Sequence, residues 1–263
     1  MSSAAWPLRY LPYVYYINTG IVSETYKITF FEKSFEARKI DTDAGKRYND
    51  AVIEHTERGI SMKKIDFANE AWKQEITQAY SFRFTETPDF VQAADHITTS
   101  VNKDHREGFD NISLLSHEKY KNGVKAKLRC AFDGLGCPEI IIVEKTERCE
   151  DGAVRYGACF EVVLWKNGVN VWRHYMDEAD HRCYWHKRLG LSMQVAEKDI
   201  HELEVEIIEN YIVFSVDGVG VKLRTEDLPE SFHVGITACE GIVRLYDFEI
   251  QQQKDESTED QVS

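Results

Sequence analysis

No stretch of about 18 consecutive apolar residues occurs, so no membrane-spanning helix is expected. The six cysteines, Cys130, Cys137, Cys149, Cys159, Cys183 and Cys239, form no C-x-x-C pair and lack the spacing of a zinc ribbon. Gly-rich phosphate loops, a G-x-S-x-G elbow and dinucleotide fingerprints are also missing, which removes the sequence support for nucleotide binding and for α/β-hydrolase chemistry. Positive charge is scarce. Lys plus Arg is 32 against 45 Asp plus Glu, a net charge of −13 that repels phosphate backbones and anionic lipid, so neither nucleic acid nor a membrane surface is an expected partner. The same field disfavours acidic polysaccharide, unless a local basic strip overrides it. Between Met1 and Tyr16 no basic segment leads into an apolar run, and Pro7, Arg9 and Pro12 interrupt what hydrophobicity there is. Without a signal peptide, reduced buried thiols and a cytoplasmic location are expected. No Pro/Gly/Ser-rich linker divides the 263 residues, and a single domain over residues 1–250 is read, with a polar, acidic, disordered tail at 251–263.

Hydrophobic residues make up 43% of the chain and aromatics 12%, enough to fill a sizeable core. Their spacing is that of strands. Tyr26 to Lys33 and Tyr80 to Phe84 alternate aromatic and polar residues; between them Asp43 to Trp72 is charged and irregular, with one short helix near Tyr48 to Glu57. Further strands are read at Ile112–Leu115, Val124–Phe132, Glu139–Glu144, Arg155–Trp165, Val169–Tyr175 and Leu189–Val195. Such density, with few helical periods, points to an all-β sandwich or jelly roll. In the last third, Leu203, Val205 and Ile207 alternate with Glu202, Glu204 and Glu206, burying one face and solvating the other. Asp217-Gly218 follows as a hairpin turn, because both central residues of a type I′ turn need positive φ.

Val216-Asp217-Gly218, Val234-Gly235-Ile236-Thr237-Ala238 and the closing Tyr246-Asp247-Phe248-Glu249-Ile250 together resemble the C-terminal part of the concanavalin A-like lectin/glucanase superfamily. The turn Lys119 to Val124, feeding a long alternating strand, is similar to that superfamily as well. The resemblance implies a concanavalin A-like jelly-roll sandwich, here with an N-terminal elaboration and few short helices. It also implies that the concave face of the curved sheet holds any sugar-binding cleft, with aromatic platforms and polar groups reading hydroxyls. Lectins, glycoside hydrolases, polysaccharide lyases and non-catalytic modules share these motifs, so the activity stays open.

Strand alternation assigns Tyr156, Ala158, Phe160, Val162 and Leu164 to the core and Arg155, Cys159, Glu161, Val163 and Trp165 to the other face. After a turn at Asn167-Gly168, Asn170, Trp172 and His174 alternate on the return strand. Paired, the two strands gather Glu161, Trp165, Asn170, Trp172 and His174. Large apolar groups beside convergent polar ones are how small-molecule sites are built. The same five residues equally fit an interface with the N-terminal elaboration, Glu161 then being satisfied by Arg155 or Arg129. Lys125, Lys127 and Arg129 alternate on another strand; Arg129 is a candidate for a sugar hydroxyl or carboxylate, against an ordinary solvated strand face. Met176 to Lys187 reads as a loop rich in titratable and aromatic groups, which places Trp185 and His186 at the cleft rim. His174, His181 and His186 have no metal-ligand spacing, and Asp177, Glu178 and Asp180 are the oxygen-rich group for a structural calcium; neither a metal centre nor a cofactor is expected.

Glycoside hydrolysis takes two carboxyl groups, about 5 Å apart for retention and roughly 6.5–9.5 Å for inversion. Glu161 is the candidate general acid or base, with His174 or His186 as its partner. The single-strand Glu-x-Asp-x-x-Glu run of the superfamily's retaining glucanases has its nearest match in Glu178 to Cys183, where Cys183 stands at the last Glu, so no catalytic role is carried over. The leading reading is a protein that binds a carbohydrate or small glycoside on the concave face and acts there as an intracellular glycoside hydrolase; the alternatives are a non-catalytic carbohydrate-binding module and a docking subunit that uses the aromatic face to self-associate or hold a partner.

Overall fold

The computed structural model describes residues 60–84, 88–99 and 111–253. The expected strand at Tyr26 to Lys33, the short helix near Tyr48 to Glu57 and the tail beyond Gln253 lie outside the described residues. Two curled sheets pack face to face as a jelly-roll sandwich. The first runs in the order β15 (Val219–Arg224), β14 (Tyr211–Val216), β13 (His201–Ile208), β6 (Val124–Asp133), β17 (Ile242–Gln253), β4 (Ile97–Thr99) and β3 (Phe90–Gln92). On the far edge of β17, β1 (Ile60–Asp66) pairs with residues 247–253 while β4 pairs with Arg244 and Leu245. The second sheet runs β12 (Cys183–Ser192), β11 (Gly168–Met176), β10 (Cys159–Trp165), β7 (Cys137–Val143), β16 (His233–Cys239), β5 (Asn111–Ser116), β2 (Ile76–Ser81), β9 (Val154–Tyr156) and β8 (Thr146–Arg148). One four-residue helix, α1 (Trp72–Glu75), leads into β2 and buries Trp72.

Leu203, Val205 and Ile207 face Ile140, Phe160, Val162 and Leu164 in the core between the sheets. The opposite face of β13 is wet, and there Lys125 and Lys127 of β6 ladder with Glu202 and Glu204 at 2.7–3.3 Å. The β14–β15 turn is the two-residue loop that Asp-Gly predicts: Asp217 has φ 50° and Gly218 φ 82°. Asp217 also accepts from the Glu202 amide, and one of its oxygens lies 2.7 Å from His201 Nδ1. Burial by itself would lower the pKa of His201, but the Ala196 carbonyl on Nε2 and the Asp217 carboxylate outweigh it, and the pKa is raised. A histidine whose folded pKa is raised stabilises the fold fully below the unfolded value of about 6.5. That contribution is lost as pH rises through the folded pKa. The melting temperature lost in His201→Gln is therefore expected to be largest below pH ~6.5 and to shrink as the buffer becomes alkaline; a loss that does not vary with pH would overturn the pairing.

Several boundaries differ from the sequence reading. Residues 60–66, placed in the irregular segment, form β1; the Tyr80 to Phe84 strand instead spans Ile76–Ser81; and β17 continues through Gln253, past the expected start of the tail. Arg155 to Trp165 is two strands, broken at Gly157-Ala158. A Cβ on Gly157 would sit 2.1 Å from Met176 Sδ, so the backbone there passes against β11 with room for hydrogen alone. The break turns Tyr156 out of the main core and onto the opposite face of the second sheet.

Candidate functional site on the outer face of the second sheet

β10 and β11 pair antiparallel with Cys159 opposite His174, Glu161 opposite Trp172, Val163 opposite Asn170 and Trp165 opposite Gly168. Phe160, Val162, Leu164, Val169 and Val171 fill the main core. Alternation then sends Cys159, Glu161, Trp165, Asn170, Trp172 and His174 to the outer face. β12 extends the face by setting Lys187 opposite Trp172 and Trp185 opposite His174. From Gly168 to His174 this strip is about 20 Å long at the rise of a strand.

Its polar centre is buried. His174 Nε2 lies 2.7 Å from Glu161 Oε2, with the two side chains 3% and 9% exposed. Neither Arg155 nor Arg129 partners Glu161: Arg155 donates to the Phe84 carbonyl and Arg129 pairs with Asp247 at 2.8 Å. Trp185 stacks on His174 with ring centroids 6.2 Å apart and 19° between planes, and the Arg83 guanidinium lies 3.8 Å over the Trp185 ring. Trp165, Asn170 and Trp172 are half-buried, whereas Trp185 and Lys187 are exposed.

Toward the middle of the sheet this face closes over. Ala79, Leu115, Ile141, Val143, Tyr156 and Cys159 form a second small core, and Tyr156 Oη, Ser113 Oγ and Thr237 Oγ1 are chained at 2.7 and 2.8 Å. On the same face of β7 as Ile141 and Val143, opposite Val163 and Thr237, stands Glu139, a carboxyl outside the sequence-based candidates. It is 2% exposed, and its Oε2 has no hydrogen-bond partner. Burial, then the neighbouring charge of Glu161, push its pKa well above the usual carboxylate range, with Arg83 pulling the other way. The thiols of Cys159 and Cys239 are likewise pushed well up, chiefly by burial. Low-pKa nucleophilic chemistry has no support at these thiols.

Of the residues expected at the site, Glu161, His174, Trp165, Asn170, Trp172 and Trp185 share the strip. Arg129 does not join them, because β6 belongs to the other sheet. Nor does His186: the expected loop over Met176 to Lys187 shrinks to residues 177–182, and as a β12 strand residue His186 points to the side opposite Trp185, beside Tyr175 and Tyr184. His181 lies apart from both His174 and His186. It stacks on Phe82 at 4.1 Å and lines an open depression of about 440 Å³ with Phe84, Glu147, Cys149, Glu150 and Arg155. Asp177 and Asp180 accept backbone hydrogen bonds from Ala179 and Arg182, and Glu178 pairs with Lys145 at 2.8 Å.

No helix among the described residues is long and apolar enough to cross a membrane. No protein-family model matches the chain, and none of the curated proteins matches it by sequence. Solved structures do match. A protein of unknown function with a galectin-like fold from Bacillus subtilis superposes with a TM-score of 0.50 at 7% identity, covering 73% of this chain and 96% of that one. The β-agarase A of Zobellia galactanivorans gives 0.52 at 8% identity over 74% of this chain and 93% of the other. The exoplasmic/lumenal domain of VIP36, in its form bound to calcium and Man3GlcNAc, gives 0.50 at 11% identity over 76% and 93%. At such identities the likeness establishes the fold, a concanavalin A-like jelly roll.

Proposed function

We propose that the protein binds carbohydrate along the outer face of β10–β12. The observation that carries this reading is the strip of Trp165, Asn170, Trp172, Lys187 and Trp185, three indoles interleaved with hydrogen-bonding groups on rigid paired strands. Apolar rings alternating with donors and acceptors match the two kinds of surface that a sugar ring presents. The net charge of −13 favours a neutral oligosaccharide or small glycoside over an acidic polymer. All six cysteines are free thiols, which supports a reducing compartment such as the cytoplasm.

Burial of the dyad weighs toward binding without hydrolysis, since a glycosidic oxygen has to reach the acid that protonates it. A second reading, hydrolysis, is favoured by one observation. Glu139 and Glu161 sit on neighbouring strands, and burial holds Glu139 toward its neutral form, the state a general acid needs.

The test is calorimetric titration of a neutral glycan panel, with products followed by chromatography. Trp172→Ala is expected to weaken binding at least tenfold, about 1.4 kcal/mol, and Arg129→Ala, on the other sheet, to leave it unchanged. Equal losses in both, or no glycan bound by the wild type, would refute the site. Turnover that disappears in Glu161→Gln while binding persists would select the hydrolase.

A further inference from the structure

We infer that Cys159, Glu161 and His174 form a zinc-binding site. The thiol sulfur, a carboxylate oxygen and a ring nitrogen lie within 4.8 Å of one another, and the three residues are 1%, 7% and 2% exposed. Tetrahedral zinc with bonds of about 2.0–2.3 Å sets its donors roughly 3.3–3.8 Å apart, so small side-chain shifts are enough to close the site. The frame is rigid: Cys159 and Glu161 are alternate residues of one strand, and His174 is directly opposite Cys159 on the next. Sequence spacing does not disclose this set, because Cys-x-Glu on one strand and His on its partner follow no C-x-x-C or two-histidine pattern.

The donor chemistry selects the metal. Calcium and magnesium take oxygen ligands, whereas a thiolate, an imidazole and a carboxylate together suit zinc. Charge agrees, since a thiolate and a carboxylate with one divalent ion and a neutral imidazole sum to zero, the condition for burying them together. A second observation is geometric: on the neighbouring strand Glu139, 2% exposed, holds an oxygen without a hydrogen-bond partner, so this buried face has polar capacity that its hydrogen bonds leave unused. On binding, the Cys159 thiol gives its proton to solvent and His174 coordinates as neutral imidazole with its remaining N–H on the other ring nitrogen. Three protein ligands leave the fourth position to water.

This inference does not depend on sugar recognition and is tested without any sugar. The full chain is stripped with a chelator and titrated with zinc against a chromophoric competitor, then with cobalt as a spectroscopic probe. One zinc per chain is expected, and the cobalt form should show a thiolate-to-metal charge-transfer band with intense tetrahedral visible bands. Cys159→Ser should abolish the charge-transfer band, and both it and His174→Gln should weaken zinc binding by at least roughly 100-fold. Cys149→Ser, in the turn outside the cluster, should change neither. Absence of stoichiometric zinc in the wild type, or a thiolate band that survives in Cys159→Ser, overturns the assignment. Should the cysteine variant not fold, unchanged zinc affinity in His174→Gln and Glu161→Gln overturns it equally.

Discussion

Glu139→Leu is expected to be more stable than the wild type at neutral pH, by about 1–3 kcal/mol, the cost of leaving a buried polar atom unsatisfied. Glu139 is buried on the face it shares with Ile141 and Val143, with Oε2 unpartnered, and leucine has a similar volume with nothing to desolvate. The sign with pH follows from the raised pKa. Below the unfolded carboxyl value of about 4.3 both states are protonated and ionisation contributes nothing. Above that value the unfolded chain loses its proton while the folded chain keeps it, so the wild type loses stability until the folded pKa is passed. The advantage of the leucine variant therefore grows as pH rises. For a chain of this size 1–3 kcal/mol corresponds to roughly 2–12 °C in melting temperature. Thermal denaturation of both proteins from acid to neutral pH measures it. A variant that melts lower at every pH would mean that the carboxyl is held by a favourable partner in the native protein.

The strands most legible in the sequence have one face buried and one wet. β13 alternates leucine, valine and isoleucine with glutamates, and the Asp217-Gly218 turn fixes where it reverses, so the closing hairpins follow directly from period and turn chemistry. The first half of β12, residues 183–187, reads as a loop because β12 is the edge strand of its sheet. Its residues from Tyr184 to Lys187 are exposed on both faces, and no hydrophobic alternation is needed to seat them. β1 is hidden for a related reason: Ile-Ser-Met-Lys-Lys-Ile-Asp buries only Ile65, and what holds it is a seven-residue ladder with the distant β17. Alternation continued through Gly157 puts Tyr156 on the core face, whereas the close approach of Met176 there ends one strand and lets the next begin in a new frame.

The strip from Cys159 to His174 was legible in the same way as β13, since a hairpin at Asn167-Gly168 fixes which residues of the two strands share a face. Glu139 was not, although a signal existed. Cys137–Val143 is Cys-Pro-Glu-Ile-Ile-Ile-Val, an apolar run without alternation, which is the mark of a strand covered on both sides. A carboxylate in such a strand has no wet face to turn to. The same logic separates Arg129 from the site, because β6 and β13 alternate charge against hydrocarbon in step, and their lysines, arginine and glutamates ladder over the surface of the other sheet.

Breaking the Glu161–His174 pair one residue at a time is expected to cost about 3–5 kcal/mol for either Glu161→Leu or His174→Phe, because each leaves a buried polar partner unpaired. The 2.7 Å contact, in side chains 3% and 9% exposed, leaves water little access to the abandoned group. Removing both groups replaces the pair by hydrocarbon next to Val143, Ile141 and Tyr156, where apolar volume already packs. The double variant should therefore recover most of the loss and lie well above the sum of the singles. Chemical denaturation of the four proteins in a double-mutant cycle gives the coupling directly. Additive losses would mean that Glu161 and His174 do not act as a pair. The cycle also separates structure from function: if the double variant regains stability but binds neither sugar nor zinc, the pair is kept in the fold for what it holds, since hydrocarbon would hold the sheet as well.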